Sequence, residues 1–227
     1  MNPAPMVALV GNPNAGKSAL FNALTGARQK VGNYPGVTVE RKSGRLALSD
    51  GRPVELVDLP GTYSLDPSSP DEAVTRDVVL GKQEGERLPS ALVLVLDATN
   101  LDNHLRFALQ LIALGLPVVI ALNMIDMAER DGLKIDAEAL SRELGVPVIP
   151  TVAVRKRGIT ELRDALSGIV TGGATALRPA DGVPSDIVAL QRRARAIALA
   201  ATVEESSQRR WTHRVDGIAL HPVAGPI

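Results

Sequence analysis

The segment that decides the fold is GNPNAGKS at residues 11–18, which consists of Gly11, Asn12, Pro13, Asn14, Ala15, Gly16, Lys17 and Ser18. It matches the P-loop pattern G-x-x-x-x-G-K-[ST]. The glycines let the backbone wrap closely around phosphate groups, and exposed N–H groups together with the helix dipole supply positive potential. We predict that Lys17 reaches the β- and γ-phosphates of a nucleotide and that the Ser18 hydroxyl binds Mg2+.

The chain on either side of this motif predicts an α/β fold. An apolar run at 6–10 indicates a buried strand before the motif, and 17–25 follows with helical spacing. Further apolar strands alternate with helical segments, which is typical of a parallel sheet covered on both faces. An Asp-Gly pair between the apolar runs 39–48 and 54–59 indicates a hairpin. We therefore predict a mostly parallel six-stranded sheet with one antiparallel edge strand, followed by a small helical region.

A second motif, Asp58-Leu59-Pro60-Gly61, ends the second strand of the predicted hairpin. A carboxylate at this strand end faces the P-loop and can hold a Mg2+-bound water, and the Gly61 N–H can sense a γ-phosphate. The pattern Asp-x-x-Gly alone is weak. Its position one hairpin after the P-loop gives it weight.

A third motif, Asn123-Met124-Ile125-Asp126, directly follows the apolar strand at 118–122. Asp126 is placed to accept hydrogen bonds from guanine N1–H and its exocyclic amine. Adenine lacks both donors, and a site of this kind discriminates by as much as about 10⁴-fold. We expect Asn123 to brace the loop. Taken alone, the motif is equally typical of a helix cap.

Two loops complete the predicted site. Residues 29–38, predicted as a loop and called switch I below, contain Thr38, whose hydroxyl would meet Mg2+ only when a γ-phosphate is present. Thr25 is the weaker candidate because it ends the first helix. Further nucleotide contacts are expected from the backbone of switch I, from the start of the first helix and from the loop after the strand at 146–150, which would close over guanine O6: Gly36, Val37, Ala19, Val152, Ala153 and Val154.

The order of the three motifs predicts a P-loop NTPase of the Ras-like G-domain type that binds guanine nucleotide and hydrolyses GTP with Mg2+ bound. The predicted metal ligands are Ser18, Thr38 and Asp58 for Mg2+. The predicted catalytic residues are Lys17, Thr38 and Gly61, to which the family resemblance described below adds Asn14.

Composition narrows the class of protein. The formal net charge is +0 and there are no cysteines, so neither a basic nucleic-acid-binding surface nor a thiolate metal site is indicated. The apolar stretch at 107–122 is shorter than the about 20 residues of a membrane span and is broken by Gly115 and Pro117. We expect a buried helix followed by a buried strand there, and a soluble fragment.

Taken together, GNPNAGKSALFNALTG (11–26), VGNYPGVTVE (31–40), DLPGTYSL (58–65) and NMID (123–126) resemble the N-terminal cytosolic G domain of FeoB, the bacterial ferrous-iron transporter. The resemblance is close over residues 6–170 and looser beyond. It implies a GTPase with a slow intrinsic rate that uses GTP, GDP, Mg2+ and K+. It also implies that Asn14 and the backbone of 33–36 hold the K+. Met124 stands where most GTPases have lysine, and Thr62 stands where Ras-like enzymes have the glutamine that orients water.

The same resemblance implies how the chain is organised and where it acts. It predicts a G domain at 1–170, a linker at 171–184 and a helical region at 185–221 that leads toward a membrane domain of the same chain. The expected role is to regulate or drive ferrous iron uptake at the cytoplasmic face of the bacterial inner membrane. No nucleic-acid partner is expected, and a homo-oligomer is left open.

Two alternatives compete with this interpretation. A soluble GTPase of ribosome or tRNA maturation would carry the same three motifs, but neutral net charge and the NMID sequence argue against it. A nucleotide switch with little catalysis is favoured slightly by the absence of the glutamine.

Overall fold

The computed structural model describes residues 4–171 and 186–205. A seven-stranded sheet forms its centre, with the strand order β2-β3-β4-β1-β5-β6-β8. The strands of this sheet are β1 (Met6–Gly11), β2 (Gln29–Asn33), β3 (Glu40–Ala47), β4 (Pro53–Asp58), β5 (Ala91–Asp97), β6 (Val118–Asn123) and β8 (Val148–Pro150). A separate antiparallel pair joins β7 (Leu133–Ile135) to β9 (Thr202–Glu205).

Helices cover both faces of the sheet. They are α1 (Lys17–Thr25), α2 (Pro70–Val79), α3 (Leu101–Ala113), α4 (Ile125–Arg130), α5 (Ala137–Leu144), α6 (Ile159–Thr171) and α7 (Ile187–Ala201). Local chemistry sets several ends: the Ser69 and Asp136 side chains accept from backbone N–H groups at the starts of α2 and α5. No helix within the described residues combines the length and the apolar character that a membrane crossing requires.

The predicted fold class is confirmed. Strand β1 pairs parallel with β4 and β5, and the parallel order continues through β6 to β8, whereas β3 runs antiparallel to both β2 and β4. The sheet has seven strands instead of six because 29–33, predicted as a loop, is edge strand β2. All five of its residues are exposed, so no apolar face marks it as a strand.

The core consists of two apolar clusters, one on each face of the sheet. Along β5, Leu92 and Leu94 belong to the cluster on one face, and Val93 and Val95 belong to the cluster on the other. This explains why β5 is apolar throughout: consecutive side chains point to opposite faces, and both faces are buried.

Helix α7 packs into the same core as the sheet. Its buried side chains Ala194, Ile197, Ala198 and Ala201 join the cluster that contains the residues of α3. After α7 the chain continues as β9, where a helix was predicted as far as Val203. The division into a G domain, a linker and a helical region stays a prediction. Residues 172–185 and 206–227, which include most of that linker and the end of that region, lie outside the described residues.

Candidate functional site

The predicted motifs meet at the carboxyl ends of the parallel strands. The P-loop follows β1, the Asp58–Gly61 motif follows β4, the NMID motif follows β6, and 151–154 follow β8. Ligands bind at this edge of open α/β sheets because the loops there diverge and leave a crevice.

The P-loop has the left-handed backbone that lets it wrap around a ligand. Asn14 has φ 65° and Gly16 has φ 88°, so two residues of the loop lie in the region that favours glycine. A Cβ at Gly16 would come within 2.2 Å of Asn123 Nδ2, which makes glycine necessary at this position. Asn14 and Ser18 are exposed, and α1 has no acidic residue in its first turn. The loop therefore presents an open, positively polarised helix start.

Lys17 and Asp58 face each other in a partly buried space. Burial lowers the pKa of Lys17, opposed by the charge of Asp58. Burial raises the pKa of Asp58, opposed by the charges of Lys17 and Lys42. Asp58 Oδ1 is buried without a hydrogen-bond partner. An unsatisfied carboxylate oxygen of this kind is suited to a water molecule bound to Mg2+, which prefers oxygen ligands and keeps several of its waters.

Gly61 lies directly against the P-loop. A Cβ at Gly61 would be 3.1 Å from Pro13 Cα and 3.2 Å from Lys17 Nζ, so a side chain there would crowd the phosphate-binding loop. Thr62 is fully buried, and its Oγ1 donates to Ser64 O at 2.7 Å. Its hydroxyl is therefore committed within its own loop.

Switch I comprises strand β2 and the residues 34–38 at the tip of the β2–β3 hairpin. Tyr34 N–H donates to Val39 O at 3.0 Å, and Val37 N–H donates to Tyr34 O at 3.3 Å. Tyr34 and Val39 are 1% and 7% exposed, whereas Gly36, Val37 and Thr38 between them are exposed. The structure therefore places Thr38 on an exposed turn held between two buried side chains.

Asn123 ties the P-loop to the base motif. Its Nδ2 donates to Ala15 O at 3.0 Å, and its Oδ1 accepts from Ala153 N–H at 3.1 Å and from Thr151 Oγ1 at 3.3 Å. The side chain is buried, so these bonds are shielded from water. The P-loop, the NMID motif and the loop after β8 thereby form one connected unit. Thr151 begins the loop that we predicted to close over guanine O6, but nothing in the local sequence marks its hydroxyl as a partner of Asn123.

The three residues predicted to meet guanine O6 differ in what they can offer. Val152 N–H donates to Arg157 O at 3.1 Å, and Ala153 N–H donates to Asn123 Oδ1. Two of the three N–H groups are therefore already committed in this structure. Val154 is 80% exposed beside them.

Arg155 is a feature of the site that the sequence did not reveal. Its Nη1 lies 3.5 Å from Asp126 Oδ2, although the Arg155 side chain itself is 74% exposed. An exposed pair of this kind contributes at most about 1 kcal/mol. The carboxylate predicted to recognise guanine is thus loosely paired, with Met124 held beside it at φ 60°.

Comparison with known proteins gives consistent matches. A model of the family described as "Ferrous iron transport protein B" matches residues 5–166. The Fe(2+) transporter FeoB of Salmonella typhimurium is 49% identical over 164 residues, which are 70% of this chain and 20% of that protein. FeoB of Escherichia coli K12 is 44% identical over 203 residues, which are 82% of this chain and 26% of that protein. The chain therefore spans 20% to 26% of the length of these curated relatives.

Solved structures agree with these matches. A mutant of NFeoB from S. thermophilus bound to GDP is 44% identical, with a TM-score of 0.66, and the match covers 73% of this chain and 61% of that one. The cytosolic domain of T. maritima FeoB in its GMPPNP form is 40% identical, with a TM-score of 0.66 and coverage of 75% and 64%. The match to the family model over most of the chain, together with these relatives, shows that the chain belongs to the FeoB family and represents its N-terminal G domain.

Proposed function

We propose that this chain binds guanine nucleotides, hydrolyses GTP, and serves ferrous iron uptake as the N-terminal module of a longer transporter. The observation that carries the proposal is the Asn123 side chain, which joins the phosphate-binding loop to the base-recognition motif in one buried unit. Relatives at 44% and 40% identity have structures with GDP and GMPPNP, respectively, which supports a guanine nucleotide as the ligand.

Base recognition is assigned to Asp126, with its carboxylate accepting from guanine N1–H and the exocyclic amine. Guanine would have to compete with the Arg155 guanidinium for this carboxylate. Because Val152 and Ala153 already donate elsewhere, contact with guanine O6 falls to the Val154 N–H. The Met124 side chain would pack along the base where a lysine stem does in most GTPases.

Phosphate chemistry is assigned to residues of the P-loop and the two switch loops. Lys17 would reach the β- and γ-phosphates, and the Gly61 N–H would contact the γ-phosphate. The Ser18 hydroxyl, the Thr38 hydroxyl and Asp58 would hold Mg2+, which neutralises charge that develops on the phosphate oxygens. Asp58 suits this role because its buried Oδ1 has no other partner in the described residues.

A K+ ion held by Asn14 would supply the remaining charge. Thr62 is buried and hydrogen-bonded within its own loop, so it does not replace the missing glutamine. Asn14 is exposed on the P-loop, where its carboxamide oxygen can serve as a ligand for a monovalent cation together with carbonyls of 33–36. In other GTPases, an arginine that offsets the charge of the transition state raises the rate of hydrolysis about 10³–10⁵-fold.

Turnover in different salts tests the enzymatic part of the proposal. Purified chain with Mg2+ and saturating GTP should release phosphate faster in KCl than in NaCl at equal ionic strength. Asn14→Ala should remove the difference and leave a slow basal rate. Equal rates of the wild-type protein in both salts would contradict the K+ role. No turnover in either salt, with GTP still bound, would indicate a nucleotide switch with little catalysis.

Thr38→Ala tests the assignment of switch I. The hydroxyl should meet Mg2+ only in the triphosphate state, so the variant should bind GDP normally and hydrolyse GTP more slowly. An equal loss of GDP affinity would place Thr38 in a different role.

The transport role requires an experiment on the longer protein. We propose that this domain regulates or drives uptake by the membrane domain that follows it, at the cytoplasmic face of the bacterial inner membrane. Lys17→Ala in the full-length protein should abolish ferrous iron uptake by cells while the protein remains in the membrane at normal abundance. Unchanged iron uptake would separate nucleotide binding from transport.

A further inference from the structure

The hairpin that carries switch I is fastened to the protein by a network of ion pairs away from the nucleotide motifs. Arg41, two residues after the buried Val39, lies within hydrogen-bonding distance of both oxygens of Glu86 through its Nε and Nη2. The Arg41 Nη2 also donates to Glu55 Oε1 at 3.1 Å. The Glu86 side chain is only 8% exposed and that of Arg41 is 21% exposed, so water screens this pair weakly.

The loop that provides Glu86 also contacts the tip of the hairpin. This loop, residues 80–90, connects α2 to β5. Gly85 has φ +74°, and a Cβ there would lie 2.9 Å from Pro35 Cγ, so the loop backbone approaches switch I directly. The hairpin is therefore held against loop 80–90 at two points, by Pro35 at its tip and by Arg41 on β3.

Tyr34 is a third anchor of the hairpin. It is 1% exposed, and its hydroxyl is buried without a hydrogen-bond partner. Burial raises the pKa of Tyr34, and the charges of Glu86 and Asp58 raise it further while Arg41 opposes them, so the phenol stays protonated and neutral. The charged groups that act on Tyr34 are thus the Arg41–Glu86 ion pair and Asp58, the carboxylate predicted to hold Mg2+.

Loop 80–90 is in turn joined to the γ-phosphate-sensing motif through α2. The Thr75 hydroxyl on α2 donates to Pro60 O at 2.8 Å, immediately before Gly61. At the other end of α2, Lys82 and Gln83 N–H groups donate to Asp77 O at 2.7 and 3.1 Å. A continuous set of contacts thus runs from Gly61 through α2 and loop 80–90 to Arg41.

We propose that Arg41 and Glu86 are positioning residues for GTP hydrolysis, whose ion pair holds the switch I hairpin against loop 80–90 so that Thr38 is presented to the nucleotide. The inference rests on the proposed role of Thr38. Between Tyr34 and Val39 the turn is exposed, and β2 has no buried residue to restrain it. The restraint on the position of Thr38 therefore comes from the buried side chains of Tyr34 and Val39 and from the groups that hold β3.

A purely structural role for the pair would make different predictions. Loss of a merely stabilising ion pair would lower the free energy of unfolding and would leave the turnover of the folded protein unchanged. Loss of a positioning pair lowers turnover at saturating GTP and leaves the affinity for GDP unchanged, because the Thr38 hydroxyl is required only when the triphosphate is bound. The two roles are therefore separated by kcat and the Kd for GDP, measured on protein shown to be folded.

The test uses Glu86→Gln, Arg41→Gln and the double variant, with Glu84→Gln as the matched control. Glu84 is exposed on the same loop, and the described residues show no ion pair for it. We expect Glu86→Gln to lower kcat for GTP about tenfold, the scale of a hydrogen bond to a charged group. Its Kd for GDP should stay within about twofold of the wild-type value. Arg41→Gln, which also removes the bond to Glu55, should lose at least as much, and the double variant should lose no more than Arg41→Gln alone because the Arg41–Glu86 contact is already absent there. Glu84→Gln should behave as wild type.

Combination with Thr38→Ala shows whether the pair acts through Thr38. In a Thr38→Ala background, Glu86→Gln should cause no further loss of kcat. A further loss of similar size there, or a kcat for Glu86→Gln equal to that of Glu84→Gln, would overturn the inference. Normal turnover by Thr38→Ala alone would refute the proposed role of Thr38, a result separate from the effect of Glu86→Gln. If circular dichroism shows that Glu86→Gln does not fold, Arg41→Lys serves as the test variant instead. Lysine keeps the positive charge but cannot form the bidentate hydrogen bonds of the guanidinium group, so its kcat should fall while its Kd for GDP stays normal.

Discussion

Replacement of Asn123 by alanine should uncouple the phosphate-binding loop from the base-recognition motif. The substitution removes the bond to Ala15 O at 3.0 Å and the bonds from Ala153 N–H at 3.1 Å and Thr151 Oγ1 at 3.3 Å. A neutral hydrogen bond contributes about 1 kcal/mol net, so the three together are worth about 3 kcal/mol. The Ala15 carbonyl and the Ala153 N–H would be left buried without partners, so counting those two bonds at about 2 kcal/mol each instead of about 1 kcal/mol sets the upper estimate at about 5 kcal/mol.

We therefore expect the free energy of unfolding of Asn123→Ala to fall by about 3–5 kcal/mol. For a domain of this size, that corresponds to a decrease in Tm of roughly 6–20 °C. The affinity for GDP should also fall, by at least about tenfold, because the P-loop and the loop after β8 lose the side chain that connects them. Urea denaturation without nucleotide measures the first quantity, and titration with a fluorescent GDP analogue measures the second.

Asn103→Ala is the matched control. Asn103 is exposed on α3, and its Nδ2 donates to Asn100 Oδ1 at 2.7 Å. A surface substitution of this kind should change the free energy of unfolding by no more than about 0.5 kcal/mol. If the free energy of unfolding of Asn123→Ala falls by less than about 1 kcal/mol, the hydrogen bonds of Asn123 do not hold the two loops together. Normal GDP affinity in a destabilised Asn123→Ala would show that the brace serves folding alone.

Substitutions at four further residues test other parts of the site and the core. Asp126→Asn should lower the affinity for GTP and raise the affinity for xanthosine triphosphate. If competition binding shows that the variant prefers GTP as strongly as the wild-type protein does, Asp126 has no role in base recognition. Lys17→Ala should lose nucleotide binding with an unchanged circular dichroism spectrum, and normal affinity would contradict the P-loop assignment. Tyr34→Phe should leave the free energy of unfolding within about 0.5 kcal/mol of wild type, since it removes a buried hydroxyl that has no partner, whereas Tyr34→Ala should cost about 3–5 kcal/mol. Burial lowers the pKa of His104, and the charge of Asp97 opposes this shift. As the pH falls, His104 is therefore protonated in the unfolded chain before it is protonated in the folded protein, so the free energy of unfolding should decrease below about pH 6.5. His104→Gln should flatten that pH dependence.

Much of the fold follows from local pattern. Strands β1, β5 and β6 were predicted because their residues are apolar throughout, and the structure shows that both faces of each are buried. Helix α1 was predicted from helical spacing, and Gly26 in left-handed conformation ends it. These features depend only on residues close in sequence, so the sequence alone carried enough information.

The candidate site follows the same rule in part. The P-loop, the Asp58–Gly61 motif and the NMID motif are each short and contiguous, and their order along the chain places all three at one edge of a parallel sheet. The topology of such a sheet brings successive carboxyl ends together without any further information. The residue roles assigned to these motifs remain predictions.

Two strands that sequence reasoning missed, β2 and β7, depend on pairing with another strand. Strand β2 is exposed throughout and becomes a strand only by pairing with β3. Strand β7 has three residues and pairs with β9, which follows α7. A segment that buries no face has no periodicity to detect, so its secondary structure is decided by the hydrogen-bonding edge that tertiary folding brings to it.

The same distinction separates the nucleotide motifs from what surrounds them. Nothing in the local sequence pairs Arg41 with Glu86, 45 residues later, or indicates that Arg155 would lie beside Asp126. Charged residues at these positions are equally typical of a solvated surface, because long side chains select partners only once the backbone has brought them within reach. The sequence by itself determined the nucleotide motifs and the parallel sheet that displays them. Only the tertiary structure decided which charges meet beside the hairpin that carries switch I and which side chain lies beside Asp126, since both depend on contacts between distant segments.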